Sequence, residues 1–200
     1  MPLTTLDPTP ALVVIDLQKG IVAGSLASVV PNAAALATAF RAHDLPVVLV
    51  NVTGRAPGRT DADSRGGHGG TGSTTTLPSG WADIIDELEP QHDDHLITKR
   101  RRSAFHDTGL DTLLRDLAVT QIMLAGVSTS SGVESTARSG HDHGYHVVLA
   151  TDAMADPDPH AHRHCLARVF PKLGEIATTV EIIDFLDHGL RGTDRAAHRP

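Results

Sequence analysis

The chain has 200 residues, 40% of them hydrophobic and 20% charged, with a formal net charge of −7. That balance suits one globular domain, excludes wholesale disorder, and lacks the clustered basic footprint of a nucleic-acid binder. A single cysteine, Cys165, excludes an intrachain disulfide and a cysteine-rich zinc site.

The longest apolar runs, Ala11–Ile15 and Val47–Val50, fall far short of the roughly 20 residues a membrane span needs. Met1–Pro10 is short, polar and proline-containing, unlike a secretory signal. The expectation is a cytoplasmic protein with neither membrane nor nucleic acid as partner.

Ala11–Leu17 (ALVVIDL) reads as a strand buried on both faces, broken only by Asp16 near its end. Asn32–His43 has helical spacing after Pro31, a residue suited to a first turn. Leu45–Val52 is a second buried strand, with Pro46 tolerable at its start. A polar, glycine-rich stretch, Thr53–Gly80, interrupts the pattern. Trp81–Leu88 then reads as a short helix and His95–Lys99 as a short strand.

Thr108 is placed to cap a helix over Leu110–Leu117, whose leucines share one face. Gln121–Ala125 follows as a strand, and Ser130–Gly144 as a helix closed by glycine. The chain ends with a strand over His146–Ala150, a helix near His160–Phe170, a strand over Ile176–Thr179 and a helix over Val180–Leu190. Strands separated by helices predict an α/β fold. One domain, residues 1–190, should hold a six-stranded, mostly parallel sheet between helical layers in a Rossmann-like three-layer arrangement. Residues 191–200 form a polar tail.

In such sheets ligands bind beyond the carboxyl ends of the strands, near the switch in strand order. Asp16 ends the first strand, Lys99 ends the third, and Gly126–Ser131 joins the fourth to its helix. All three point to one rim. The Gly126–Ser131 turn also feeds a helix start, where backbone N–H groups favour an oxyanion.

Four stretches in order, Val13–Gln18 (VVIDLQ), Thr98–Phe105 (TKRRRSAF), Gly126–Arg138 (GVSTSSGVESTAR) and His146–Asp156 (HVVLATDAMAD), resemble the isochorismatase-like hydrolase family, also called the cysteine hydrolase superfamily. The resemblance spans about residues 11 to 186. It implies a six-stranded parallel sheet, hydrolase chemistry on a small-molecule substrate, and a homo-oligomer, dimer or tetramer. It also implies an active site of Asp, Lys and Cys, with Asp16 and Lys99 at the first two positions. Family members carry a non-proline cis peptide where Val127 and Ser128 stand. Backbone groups of Val127, Ser128 and Ser131 would then contact the substrate oxygen.

The cysteine of that pattern stands three residues after the Thr and directly before a Val. Here that position, between Ser131 and Val133, is Gly132. A glycine has no side chain to attack a carbonyl, so thioester chemistry cannot run from it. Cys165 matches no nucleophile position. Three readings stay open: an isochorismatase-type enzyme in which Asp16 protonates an enol ether, an amidase whose nucleophile was lost or removed, and a non-catalytic binder. The flanking Val133–Arg138 (VESTAR) resembles the cysteine-bearing branch.

Other signals are weaker. Arg100, Arg101 and Arg102 continue the basic run from Lys99; such runs are usually solvated faces, though guanidinium forks also suit a substrate carboxylate. Ser130 and Ser131 carry hydroxyls, but no histidine is placed by sequence to activate them. Of thirteen histidines, His160 and His164 have the i, i+4 spacing of a chelating pair. The nicotinamidase-like Asp-x-His pair is missing from Asn51–Thr60, and Asp61, Asp63 and His68 replace it poorly. No metal and no cofactor is expected. Gly66–Ser73 lacks the Gly-Lys-Ser/Thr ending of a phosphate loop and reads as part of a lid or oligomer contact. Trp81 would line the pocket beside it or belong to a core or interface.

Overall fold

The computed structural model describes residues 3–54 and 77–194. Six strands, β1 (Pro10–Ile15), β2 (Val47–Val52), β3 (His95–Lys99), β4 (Gln121–Val127), β5 (His146–Ala155) and β6 (Glu175–Ala177), form one sheet in the order β3-β2-β1-β4-β5-β6. Every neighbouring pair is parallel. The helices are α1 (Val30–Ala42), α2 (Leu110–Asp116), α3 (Glu134–Asp142), α4 (Pro159–His164) and α5 (Thr179–Asp194).

Alternating side chains of the central strands feed two cores. On one face, Leu12, Val14, Leu49 and Met123 meet Leu36 and Phe40 of α1 and Ile182 and Leu186 of α5. On the other, Val13, Ile15, Val50 and Leu124 meet Leu110 and Leu114 of α2, Ala137 of α3, and Cys165 and Phe170 beyond α4. This two-sided burial explains why β1 and β4 read as unbroken apolar runs. Each fully buried Leu or Phe contributes roughly 1.5–3 kcal/mol.

The order reverses between β1 and β4, because the chain builds outward from β1 to β3 and then returns to β1's other side. Gly126 makes the close approach there possible. Its φ is +110°, and a Cβ on it would lie 2.0 Å from the Ile15 carbonyl oxygen. The β4–β5 register shifts at the same place, between Leu124 and Gly126. A crevice therefore opens over the carboxyl ends of β1 and β4.

Several local expectations are corrected. Trp81–Leu88 is no helix: its backbone pairs with the segment after β1, through Gly20 N–H to Trp81 O at 2.9 Å, Lys19 N–H to Asp83 O at 2.8 Å and Ile85 N–H to Leu17 O at 3.1 Å. Only Asp86–Leu88 makes a helical turn. The helix expected over Ser130–Gly144 starts as a wide five-residue π turn, Thr129–Val133, before α3 begins. The one near His160–Phe170 is likewise split, with α4 giving way to a π turn over Cys165–Val169. β5 runs on to Ala155, and α5 runs on to Asp194.

Candidate active site

Asp16 follows the last residue of β1 and takes a left-handed conformation, φ +53°, which Asp tolerates better than most residues. Its N–H donates to Val50 O at 2.8 Å, and its carbonyl accepts from Gln18 N–H at 2.9 Å. The reversal puts its side chain within reach of Lys99, at the end of β3. Lys99 Nζ donates to Asp16 Oδ2 at 2.8 Å and to Arg101 O at 3.2 Å.

Both side chains are buried, Asp16 at 6% exposure and Lys99 at 2%. Asp16 Oδ1 has no hydrogen-bond partner among the described residues. Burial pushes the Asp16 carboxyl up to about 6, against the pull of the Lys99 charge and hydrogen bond. The group therefore titrates near pH 6, above the ordinary carboxylate range. It can give a proton on the acid side of 6 and accept one above it.

The third arm is the turn after β4. The Val127–Ser128 peptide is cis, at the position the family resemblance implied. In the π turn that follows, Ser131 N–H donates to Ser128 O at 3.0 Å, so it is already used inside the turn. Ser130 N–H and Oγ both bond Asp156 Oδ2, at 2.8 and 2.7 Å. Gly132 is buried and faces Asp16: a Cβ placed on it would lie 3.2 Å from Asp16 Oδ2, 3.0 Å from Ile15 Cγ2 and 3.3 Å from Val127 O. The fold thus brings Asp16, Lys99 and Gly132 together at the switch point.

Cys165 lies apart from this trio. Its thiol donates to Glu134 Oε2 at 3.3 Å and packs in the core of the second face. Burial, helped by Glu134, pushes it up to about 12, so it stays a thiol at neutral pH.

Three residues carry more than their sequence suggested. Gln18 is fully buried and staples three segments: Nε2 donates to Val52 O and Trp81 O, and Oε1 accepts from Val52 N–H. Asn51 donates to Ala82 O at 2.8 Å, while its buried Oδ1 has no partner among the described residues. His162 meets the hydroxyl of Thr129 across Nδ1 at 2.9 Å, a contact between segments 33 residues apart. A buried polar residue in an apolar setting was the only available signal for Gln18 and Asn51.

The remaining candidates fall to the periphery. Arg100 and Arg101, with Thr98 and Asp107, line an open cavity of about 330 Å³ on the rim beside Lys99. Arg102 is exposed. Half-buried Trp81 stacks so closely on Gly20 that a Cβ there would fall 2.2 Å from the indole. His160 Nδ1 pairs with Arg163 Nη2 at 3.0 Å, and among the described residues no three His, Cys, Asp or Glu side chains gather as a metal site. Asp61, Asp63, His68, the Gly66–Ser73 segment and most of Thr53–Gly80 lie outside the described residues.

The Isochorismatase domain model matches residues 10–181. The chain belongs to the isochorismatase-like hydrolase family. It is 38% identical to the isochorismatase family protein YwoC of Bacillus subtilis over 180 residues, covering 87% of this chain and 92% of that one. The solved structure of an isochorismatase family protein from Burkholderia thailandensis superimposes with a TM-score of 0.82 at 37% identity, covering 92% and 98% of the two chains. N-carbamoylsarcosine amidase from Thermoplasma acidophilum is more distant, with a TM-score of 0.68 at 26% identity over 86% of this chain and 96% of that one. Members of the family are hydrolases.

Proposed function

We propose that this protein is a small-molecule hydrolase that works without a cysteine nucleophile, using Asp16 as the acid in cleavage of an enol or vinyl ether such as isochorismate. The protonated Asp16 carboxyl delivers its proton to the terminal carbon of the enol ether. Water adds to the resulting oxocarbenium carbon, and the hemiketal collapses to a ketone and an alcohol; for an enolpyruvyl ether the ketone is pyruvate. Lys99 orients the Asp16 carboxylate and offers positive charge to an anionic substrate. Backbone groups of Val127, Ser128 and Ser131 contact substrate oxygen, with Ser131 first giving up its bond inside the turn.

One observation carries this reading. Among the described residues, the only buried carboxyl on the rim has an oxygen without a partner and an upward-shifted pKa, and it faces a residue with no side chain. An acid needs exactly that shift if it is to hold a proton near neutral pH. The proposal extends to a cytoplasmic homo-oligomer; a monomeric mass at micromolar concentration would overturn that part.

A second reading, an amidase disabled at position 132, has its own support. The Cβ direction of Gly132 points at Asp16 Oδ2, and Gly132 is not among the glycines with positive φ, so a cysteine there would sit beside a base. The approach is tight, because the backbone oxygen of Val127 cannot yield as Ile15 and Asp16 can.

Pyruvate release from isochorismate by the wild-type chain, lost in Asp16→Asn, supports the first reading. Thiol-dependent amide hydrolysis appearing in Gly132→Cys supports the second. A pocket ligand that binds equally well to Asp16→Ala, with no turnover of either substrate, points to a non-catalytic binder.

A further inference from the structure

We infer that His162 is a positioning residue for the active-site turn: through Thr129 it holds residues 129–132 in the orientation that presents Gly132 to Asp16. The catalytic consequence rests on Asp16 acting as proposed above; the latch itself does not.

Thr129 opens the π turn and is fully buried. A hydroxyl buried that deeply costs free energy unless it is hydrogen-bonded. The side-chain partner that the fold gives it is the His162 ring, 2.9 Å away and 33 residues along the chain. The next residue, Ser130, is gripped from the same side by Asp156, which takes its N–H and its hydroxyl on Oδ2 and Asp158 N–H on Oδ1. The segment from Asp156 to His162 thus clamps the first two residues of the turn. Gly132 lies within the same five-residue turn, so a rotation at Thr129 would change what faces Asp16 Oδ2.

The two halves of the clamp differ chemically. The Asp156 half is a carboxylate receiving N–H and O–H donors. The His162 half depends on which atom carries the proton. An unprotonated Nδ1 accepts from the Thr129 hydroxyl. A protonated ring must donate through Nδ1, and the Thr129 proton must then find another acceptor in a buried setting. Burial holds His162 below the ordinary histidine range; Asp156 pulls it up and Arg163 pushes it down. The turn facing it, Thr129–Val133, carries no titratable side chain. Acidification through the lowered His162 titration reverses this bond and frees the Thr129 proton, which changes how the turn is held.

The test needs no substrate. In the wild-type protein, the backbone amide resonances of Ser130 and Gly132 should shift with pH in step with the imidazole resonances of His162. In His162→Ala they should move to new positions and lose that inflection. In His162→Asn, whose amide oxygen can reach the place of Nδ1, they should return close to wild type and stay flat across the same pH range. Thr129→Val should reproduce His162→Ala, and combining the two should add nothing further. Amides at 130 and 132 that ignore both His162 protonation and its removal would overturn the latch, whatever the enzyme's reaction proves to be. If turnover is found, His162→Ala should lower kcat tenfold or more with little change in KM, and His162→Asn should recover most of it. An unchanged kcat would overturn the link from latch to chemistry.

Discussion

Two buried polar residues two positions apart, Asp16 and Gln18, show what separates a staple from a site. Gln18 satisfies both ends of its amide on backbone groups of Val52 and Trp81. Asp16 is nearly as buried but keeps one oxygen without a partner among the described residues and holds the other against Lys99. Buried polar groups ordinarily complete their hydrogen bonds, so the unpartnered Asp16 oxygen calls for an explanation, and an incoming ligand or proton supplies one. Gln121, at the opposite end of the sheet, behaves like Gln18: its Nε2 donates to Thr5 O and its Oε1 accepts from Asp7 N–H, both at 3.0 Å. On the proposed function Asp16 carries chemistry, while the fully bonded amides of Gln18 and Gln121 carry stability.

Breaking each residue should therefore fail in a different assay. Asp16→Asn should reduce turnover by about 10²–10⁴-fold, the usual worth of a positioned acid, with the circular dichroism spectrum unchanged. Gln18→Ala should instead lower stability, by about 2–4 kcal/mol in urea unfolding, because Val52 N–H loses its acceptor and two carbonyls lose a donor. Gln121→Ala should cost about 1–3 kcal/mol on the same grounds and leave kcat untouched.

Lys99→Met sharpens the contrast. Removing the cation removes what pulls the Asp16 pKa down, so the pH at which Asp16 titrates should rise above its wild-type value near 6. The smallest effect belongs to Cys165→Ala, which should change turnover by less than about twofold, because this thiol is held high and faces Glu134 rather than the rim. Native protein at pH 7.5 should likewise resist iodoacetamide.

The central strands were legible because parallel strands buried on both faces spell themselves as apolar runs, and Asp16 because it interrupts one; Lys99, at the end of a half-exposed edge strand, was legible through the family motif. What stayed hidden depended on long-range pairing. Trp81–Leu88 has the composition of a short helix, yet its backbone donors and acceptors are taken by residues 17–20. The continuation of β5 to Ala155 follows a register shift set by Gly126, which no local pattern shows.

The histidines are the clearest case. The i, i+4 spacing singled out His160 and His164 as a pair, but the ring that reaches the active-site turn is the one between them. A step of two residues turns about 200° around a helix, so His162 lies on the opposite face from both neighbours. Its partner Thr129 is 33 residues away, beyond any sequence periodicity.

The pH dependence of kcat/KM on an enolpyruvyl ether tests the central claim most directly, because acid and base roles for Asp16 have opposite signs. An Asp16 that must be protonated to act gives a kcat/KM that falls as pH rises through about 6, with the fall moved to higher pH in Lys99→Met. A kcat/KM that instead climbs through that pH would make Asp16 a base and would contradict acid-assisted cleavage.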